Sequence, residues 1–236
     1  MRISHWISAL LLSVGLVLAG YFIGDLQVKG KKYDRYVTVK GLSEREVPAD
    51  LAVWPISIAL TGNDLQDLSR RIGVQNEEVY RFFADRGFGP EEITRGPVNI
   101  VDARANIYNP QAQSAPNRYL AKSEFTVRTT DIPKLQRALT ESPDLLSRGI
   151  VMGSKNEWAP IEYIFTGLND LKPEMVAEAT RNAREVADKF ARDSDAKVGR
   201  IRTANQGLFS IANRDANTPQ IKKVRVVSTI EFQLED

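Results

Sequence analysis

Histidine occurs once in this chain, at position 5, and cysteine not at all. Those two facts remove most nucleophilic and metal chemistry. No Ser-His-Asp triad, thiolate nucleophile, His or Cys metal set, disulfide or lipoprotein cysteine can be built. Carboxylates, amines and hydroxyls remain. Glu91 and Glu92 are adjacent in GFGPEE at 87–92, and paired carboxylates can do acid–base work. Beside Gly89-Pro90, at a strand entrance, they read instead as solvent-facing charges. The same stretch starts like a dinucleotide glycine motif, but it lacks the third glycine and precedes a strand, so it reads as a helix stop. No Walker loop occurs. Arg200, Arg202, Lys222, Lys223 and Arg225 form a mildly basic group, read as charges that discourage pairing at a sheet edge in preference to an anion site. The expectation is a non-enzymatic protein with no catalytic, cofactor-binding or metal-binding residues and no cofactor.

The elements that would position any site follow from composition and periodicity. The 236 residues are 42% hydrophobic and 26% charged, an ordinary globular balance, and a net charge of +2 gives no reason to expect a nucleic-acid partner. Trp6–Ile23 carries no charge. As a helix it would span about 27 Å at ~1.5 Å per residue, just short of a ~30 Å hydrocarbon core. It reads as an uncleaved signal anchor that holds the chain in a membrane through residues 6–23. Cleavage after Val17-Leu18-Ala19 is the competing reading. Lysines at 29, 31 and 32 outnumber Arg2, so charge balance does not orient the segment; the body is expected outside the cytoplasm. Gly20 and Gly24 stand at GxxxG spacing, read as ordinary glycines of an anchor. Residues 1–35 are thus anchor and tether, and 36–236 the body.

Tyr36–Lys40 alternates as a strand. Gly41 to Pro48 is expected to turn, because glycine tolerates positive φ and proline gives no N–H to a ladder. Leu51–Thr61 resumes the alternation with Ala52, Trp54, Ile56, Ile58 and Leu60 on one face, so the two segments read as a hairpin-like pair; Pro55 suggests an edge or a bulge. Asn63 or Asp64 caps a helix whose Leu65, Leu68, Ile72, Val79, Phe82 and Phe83 recur at three and four, with Gly87 at its end. Strands follow at Val98–Ala103 and Tyr119–Thr129, separated by a long Asn/Pro loop at 104–118. A short helix spans Pro133–Thr140, capped by Asp131.

The order then recurs. Glu157–Thr166 reads as a strand with Trp158, Ile161, Tyr163 and Phe165 as its bulky residues. A long helix starts near Pro173 with Val176, Ala179, Ala183, Val186, Ala187 and Phe190 on its buried face, the small residues letting it sit close on its sheet. A strand at Arg200–Gly207, a second loop at 209–220 and a final strand alternating Val224, Val226, Ser228, Ile230, Phe232 and Leu234 complete the chain. The pattern predicts an α+β fold, antiparallel sheet with helices on one face, in two strand-helix-strand-strand halves near 50–129 and 157–234. The two long loops are candidates for partner or subunit contact, or are mobile surface.

Three stretches in this order resemble the SIMPL-domain family of bacterial envelope proteins: VTVKGLSEREVPADLAVWPISI, YLAKSEFTVRTTDIPKLQRAL and IEYIFTGLNDLKPEMVAEATRNAREVADKFARDSDAKVGRI. The resemblance runs from Tyr36 to Leu234, with Gly41, Pro48, Asp50, Ala179, Ala183, Ala187, Ala191 and Gly199 in the family's places. Ala49 splits the usual Pro-Asp pair, and Asp195 stands where glycine is usual; both bear on local turns. The resemblance implies a SIMPL-like α+β fold, export to the periplasm or outer surface, and large ring-like homo-oligomers in some relatives, with no established enzymatic activity. The expected function is a membrane-anchored periplasmic protein that self-associates as an envelope scaffold or stress-related component. The alternative is a small-ligand or glycan-processing domain using carboxylates that spacing does not identify.

Overall fold

The computed structural model describes residues 10–24, 35–105, 115–153 and 161–235. His5, Trp158, most of the 25–35 tether and the middle of the 104–118 loop lie outside them. Residues 10–24 are helical, with Leu10, Leu16 and Phe22 among their exposed apolar side chains. Trp6–Ala9 of the expected span also lie outside the described residues. Among the described residues no helix is long and apolar enough to cross a membrane.

The body is α+β, with two antiparallel sheets. In chain order its strands and helices are β1 (Tyr36–Pro48), β2 (Leu51–Gly62), α1 (Leu65–Ala84), β3 (Ile93–Asp102), β4 (Tyr119–Thr129), α2 (Ile132–Glu141), α3 (Pro143–Ser147), β5 (Met152–Gly153), β6 (Glu162–Ile164), α4 (Leu168–Asp193), β7 (Lys197–Gln206), β8 (Ser210–Asn213) and β9 (Ile221–Glu235). The first sheet has the order β3-β4-β2-β5, with β6 also paired to β2; the second has β1-β9-β7, with β8 also paired to β9. Contacts divide the chain into two compact units, each built from separated segments. One comprises 1–45, 170–211 and 223–236, the other 46–169 and 212–222. The expected half near 157–234 therefore contributes to both units.

The opening segments do not form the expected hairpin. β1 runs unbroken through Gly41 and joins β9, while β2 pairs with β4, β5 and β6. Gly41 is required by packing: a Cβ there would lie 1.8 Å from Ala179 O and 2.6 Å from Ala183 N, on the backbone of α4. The break falls after Pro48 instead. There Ala49 N donates to Gln220 O at 2.8 Å and Asp50 N to Ile164 O at 3.0 Å. The Asp50 carboxylate accepts from Thr166 N at 2.9 Å, Thr166 Oγ1 at 3.0 Å and Gly167 N at 3.1 Å. These donors lie just before α4, where a helix leaves N–H groups without intrahelical partners. That remote cap accounts for α4 starting at Leu168, ahead of the expected Pro173, which lies inside the helix.

In the unit containing β2, Ala52, Trp54, Ile56 and Ile58 pack with β4 residues Ala121, Phe125 and Val127 and with Leu68, Ile72, Val79 and Phe83 of α1. Phe83 is the hub of edge-on rings, at 5.7 Å from Trp54, 5.1 Å from Phe82 and 5.4 Å from Phe88. The β2–β4 register is continuous from Ala52↔Thr129 to Gly62↔Tyr119. On the other side of β2, β6 pairs with Leu51–Val53 and β5 with Ser57 and Ile58, so Pro55 falls in the gap between them. Asp64 caps α1 by accepting from Asp67 N at 2.8 Å, and Gly87 follows it at φ 80°. β3 begins at Ile93, earlier than expected, and bulges between Arg95 and Val98.

In the other unit, Met175, Ala179, Ala183, Ala187 and Ala191 are the buried residues of α4, and Val39, Ala183, Ala187, Ile230 and Phe232 form a core. Val186 and Phe190, expected on that buried face, are exposed; Phe190 is 55% accessible. The buried residues recur strictly every four positions. The helix lies too close to its sheet for larger side chains, which are displaced to its flank. Asp195 adopts φ 51°, the left-handed conformation that would account for glycine as the usual residue there and that aspartate tolerates better than most.

Candidate association interface

The residues singled out for chemistry do not converge. Glu91 is exposed. Glu92 corrects the expectation of a solvent-facing charge: it lies partly buried, and its carboxylate accepts from Lys134 Nζ at 2.7 Å and 3.0 Å, from Gly89 N at 2.9 Å and from Thr129 Oγ1. Burial opposes its ionisation, but those hydrogen bonds outweigh burial and hold the carboxyl below the ordinary glutamate range. Lys134 also donates to Gly87 O at 3.2 Å and stands 4.5 Å from the Phe88 ring centroid. With every oxygen engaged, this cluster ties α2 to the entrance of β3.

The basic group also separates. Lys222, Lys223 and Arg225 lie on β9, which is central in its sheet, contrary to the expected edge. Lys222 is buried and donates to Asn213 Oδ1; burial lowers its amine pKa, against the opposing charge of Glu162. Lys223 and Arg225 reach Glu44 at 2.9 Å and 3.4 Å. Only Arg200 and Arg202 occupy an edge strand, β7, with the Arg202 guanidinium 4.8 Å from the Tyr36 ring centroid.

The expected 209–220 loop is partly a strand, β8, and partly a tight turn. Asp215 accepts from Asn217 N at 2.9 Å, Thr218 N at 2.8 Å, Arg214 Nε at 3.0 Å and Thr218 Oγ1. Those bonds, Thr218's first, push its carboxyl down to about 2.

β7 and the start of β8 form an edge of their sheet, and most residues from Arg200 to Ile211 are exposed. Among the described residues, β9 is the one strand paired with β7. Two register shifts interrupt that ladder, between Val198 and Ile201 and between Ile201 and Thr203. Beyond them the pairing is regular: Thr203↔Glu231, Ala204↔Ile230, Asn205↔Thr229, Gln206↔Ser228. The chain from Thr203 to Ile211 reads TANQGLFSI, without a charge. Leu208 is 95% and Ile211 40% accessible, with Ile201 at 43% just before the run, while Phe209 is partly buried. Exposed, uncharged strand edges are sites of further strand pairing. The sequence placed a strand here and an edge at Arg200 and Arg202, as observed, but not the exposed uncharged run that follows them. Its signal was a run with no acidic residue from Ala196 to Arg214, legible as a surface only once β7 was known to be outermost.

A family model described as SIMPL, "Protein of unknown function (DUF541)", matches residues 37–233. No curated protein matches the chain.

Proposed function

This chain belongs to the SIMPL family, and we propose that it is a membrane-anchored protein of the bacterial cell envelope that works by self-association. The apolar leader tethers it, the body lies on the periplasmic side, and the body acts as a scaffold in place of an enzyme. The observation that carries this reading is the uncharged Thr203–Ile211 run, which spans the open end of β7, the link at 207–209 and the start of β8 and leaves Leu208 almost wholly in solvent. Water-exposed leucine on an open edge costs free energy that a partner surface would recover, at roughly 25 cal/mol per Å² of apolar area covered. The leader supports the tether: its helix at 10–24 presents apolar side chains to its surroundings on all sides.

The test is light scattering on the full chain in mild detergent across a wide concentration range. A mass above one chain, falling on dilution, is expected; a single-chain mass throughout overturns self-association. Alkaline phosphatase fused after residue 236 tests the location: high activity is expected, and an inactive fusion would place the body in the cytoplasm.

A further inference from the structure

We propose that Val186 and Phe190 of α4, with Tyr36 at the start of β1, form the surface on which the body rests against the lipid of the membrane that holds the leader. The proposal rests on the membrane-anchored reading and names the part of the body that meets the bilayer.

Glu174, Glu178, Asn182, Val186 and Phe190 stand four apart on α4 and so share one flank of it. The first three are bonded to β1. Arg45 donates to the Glu174 carboxylate at 2.8 Å and 2.7 Å, Ser43 Oγ to Glu178 Oε2 at 2.9 Å, and Asn182 Nδ2 to Leu42 O at 2.7 Å. Strand numbers fall as helix numbers rise, so α4 and β1 run antiparallel, with about two strand residues to each helical turn. Continuing that register brings Val186 and then Phe190 beside the 36–40 stretch. The flank is therefore polar and engaged along the later part of β1, and apolar and uncovered where β1 begins. There Val186 is 36%, Phe190 55% and Tyr36 49% accessible.

The occupant follows from where the chain comes from. Residues 25–35 separate the leader helix, 10–24, from Tyr36. Those eleven residues reach at most ~40 Å at about 3.6 Å each, so the end at which β1 begins is the end held at the membrane. A tethered body meets lipid intramolecularly, at an effective concentration in the millimolar range, and a contact too weak to hold a free protein is then populated. Aromatic rings favour the headgroup level of a bilayer, and long cationic side chains beside them keep their charges in water. The Arg202 guanidinium stands 4.8 Å from the Tyr36 ring centroid, and Lys189 and Arg192 flank Phe190. Asp193 and Asp195 balance the latter two. The surface thus fits a lipid interface entered by apolar side chains, with no dependence on anionic headgroups.

The cysteine-free chain allows single labels. The full chain is reconstituted through its leader into phosphatidylcholine vesicles bearing a nitroxide quencher on the headgroup. A fluorophore is placed at Lys189→Cys, next to Phe190. Ala177→Cys, also exposed and about 18 Å away along α4 at ~1.5 Å per residue, is the control. Quenching at 189 should exceed that at 177 several-fold, and Phe190→Ser should remove most of the difference without a change in melting temperature. Equal quenching at both sites in a chain that floats with the vesicles, or a difference that Phe190→Ser leaves intact, overturns this contact and leaves the anchor standing. A difference seen only with phosphatidylglycerol and abolished by high salt would make the attraction electrostatic and overturns it too. A chain that does not float with the vesicles overturns both contact and anchor.

Discussion

Gly41→Ala adds one methyl group, and the structure gives its consequence a magnitude. The new Cβ would stand 1.8 Å from Ala179 O, 2.6 Å from Ala183 N and 2.9 Å from Ala179 C. All three are backbone atoms, so no side-chain rotation relieves the overlap. Restoring an ordinary contact of 3.4 Å to Ala179 O requires α4 or β1 to withdraw by about 1.6 Å. A gap of even 0.5–1 Å forfeits a quarter to a half of each dispersion contact, and Ala179, Ala183 and Ala187, all fully buried, would lose theirs together. The expected cost is about 3 kcal/mol, at the upper end of ordinary overpacking. Urea unfolding of the purified protein measures it. Gly73→Ala is the matched control: it lies inside α1 with nothing within 4 Å of a Cβ. There the same methyl should stabilise by about 0.5–1 kcal/mol, since alanine is the better helix former. A Gly41→Ala protein within about 0.5 kcal/mol of wild type, the range of an inconsequential surface change, would show that the close approach of helix and strand is wrong.

Asp50→Ala removes the acceptor for Thr166 N and Gly167 N and should cost about 1–2 kcal/mol, as lost helix caps do; amide exchange at 166–170 should rise, and unchanged exchange there would reject the remote cap. Ala183→Phe should destabilise by about 3 kcal/mol, while Phe190→Ser, on the exposed flank of α4, should stay within about 0.5 kcal/mol of wild type. Equal losses in thermal melts would contradict the seam. Glu92 predicts an acid dependence. A carboxyl held low in the folded state contributes its stability above the unfolded-state pKa, about 4.3, and loses it as pH falls through the folded value. The stability difference between wild type and Glu92→Gln should therefore be constant from pH 7 to about 5 and shrink towards pH 3; a difference unchanged at pH 3 would mean that Lys134 and Thr129 do not hold the charge.

Periodicity made much of the fold legible. The alternation in β9 and β4 and, apart from the exposed Leu65, the three-four spacing of α1 mark the correct buried face, because each element packs one face against a single neighbour. It misled where packing distance mattered. Val186 and Phe190 satisfy a helical stripe as well as Ala187 does, and only the proximity of β1, visible in Gly41, decides between them. Gly41 and Pro48 suggested a turn because glycine and proline commonly serve turns; here the glycine serves a helix crossing and the proline ends a strand. The partners of β1 and β6 were invisible for a different reason. Each pairs with a strand distant in sequence or out of the expected repeat order, and local pattern carries no information on long-range pairing. Glu92 looked exposed because Lys134 lies far along the chain, on α2.

The most direct test of the proposed self-association is the native mass of the full chain in mild detergent, compared with the 26.4 kDa of one chain. A defined multiple of the chain mass is the predicted result. One chain per particle would contradict it.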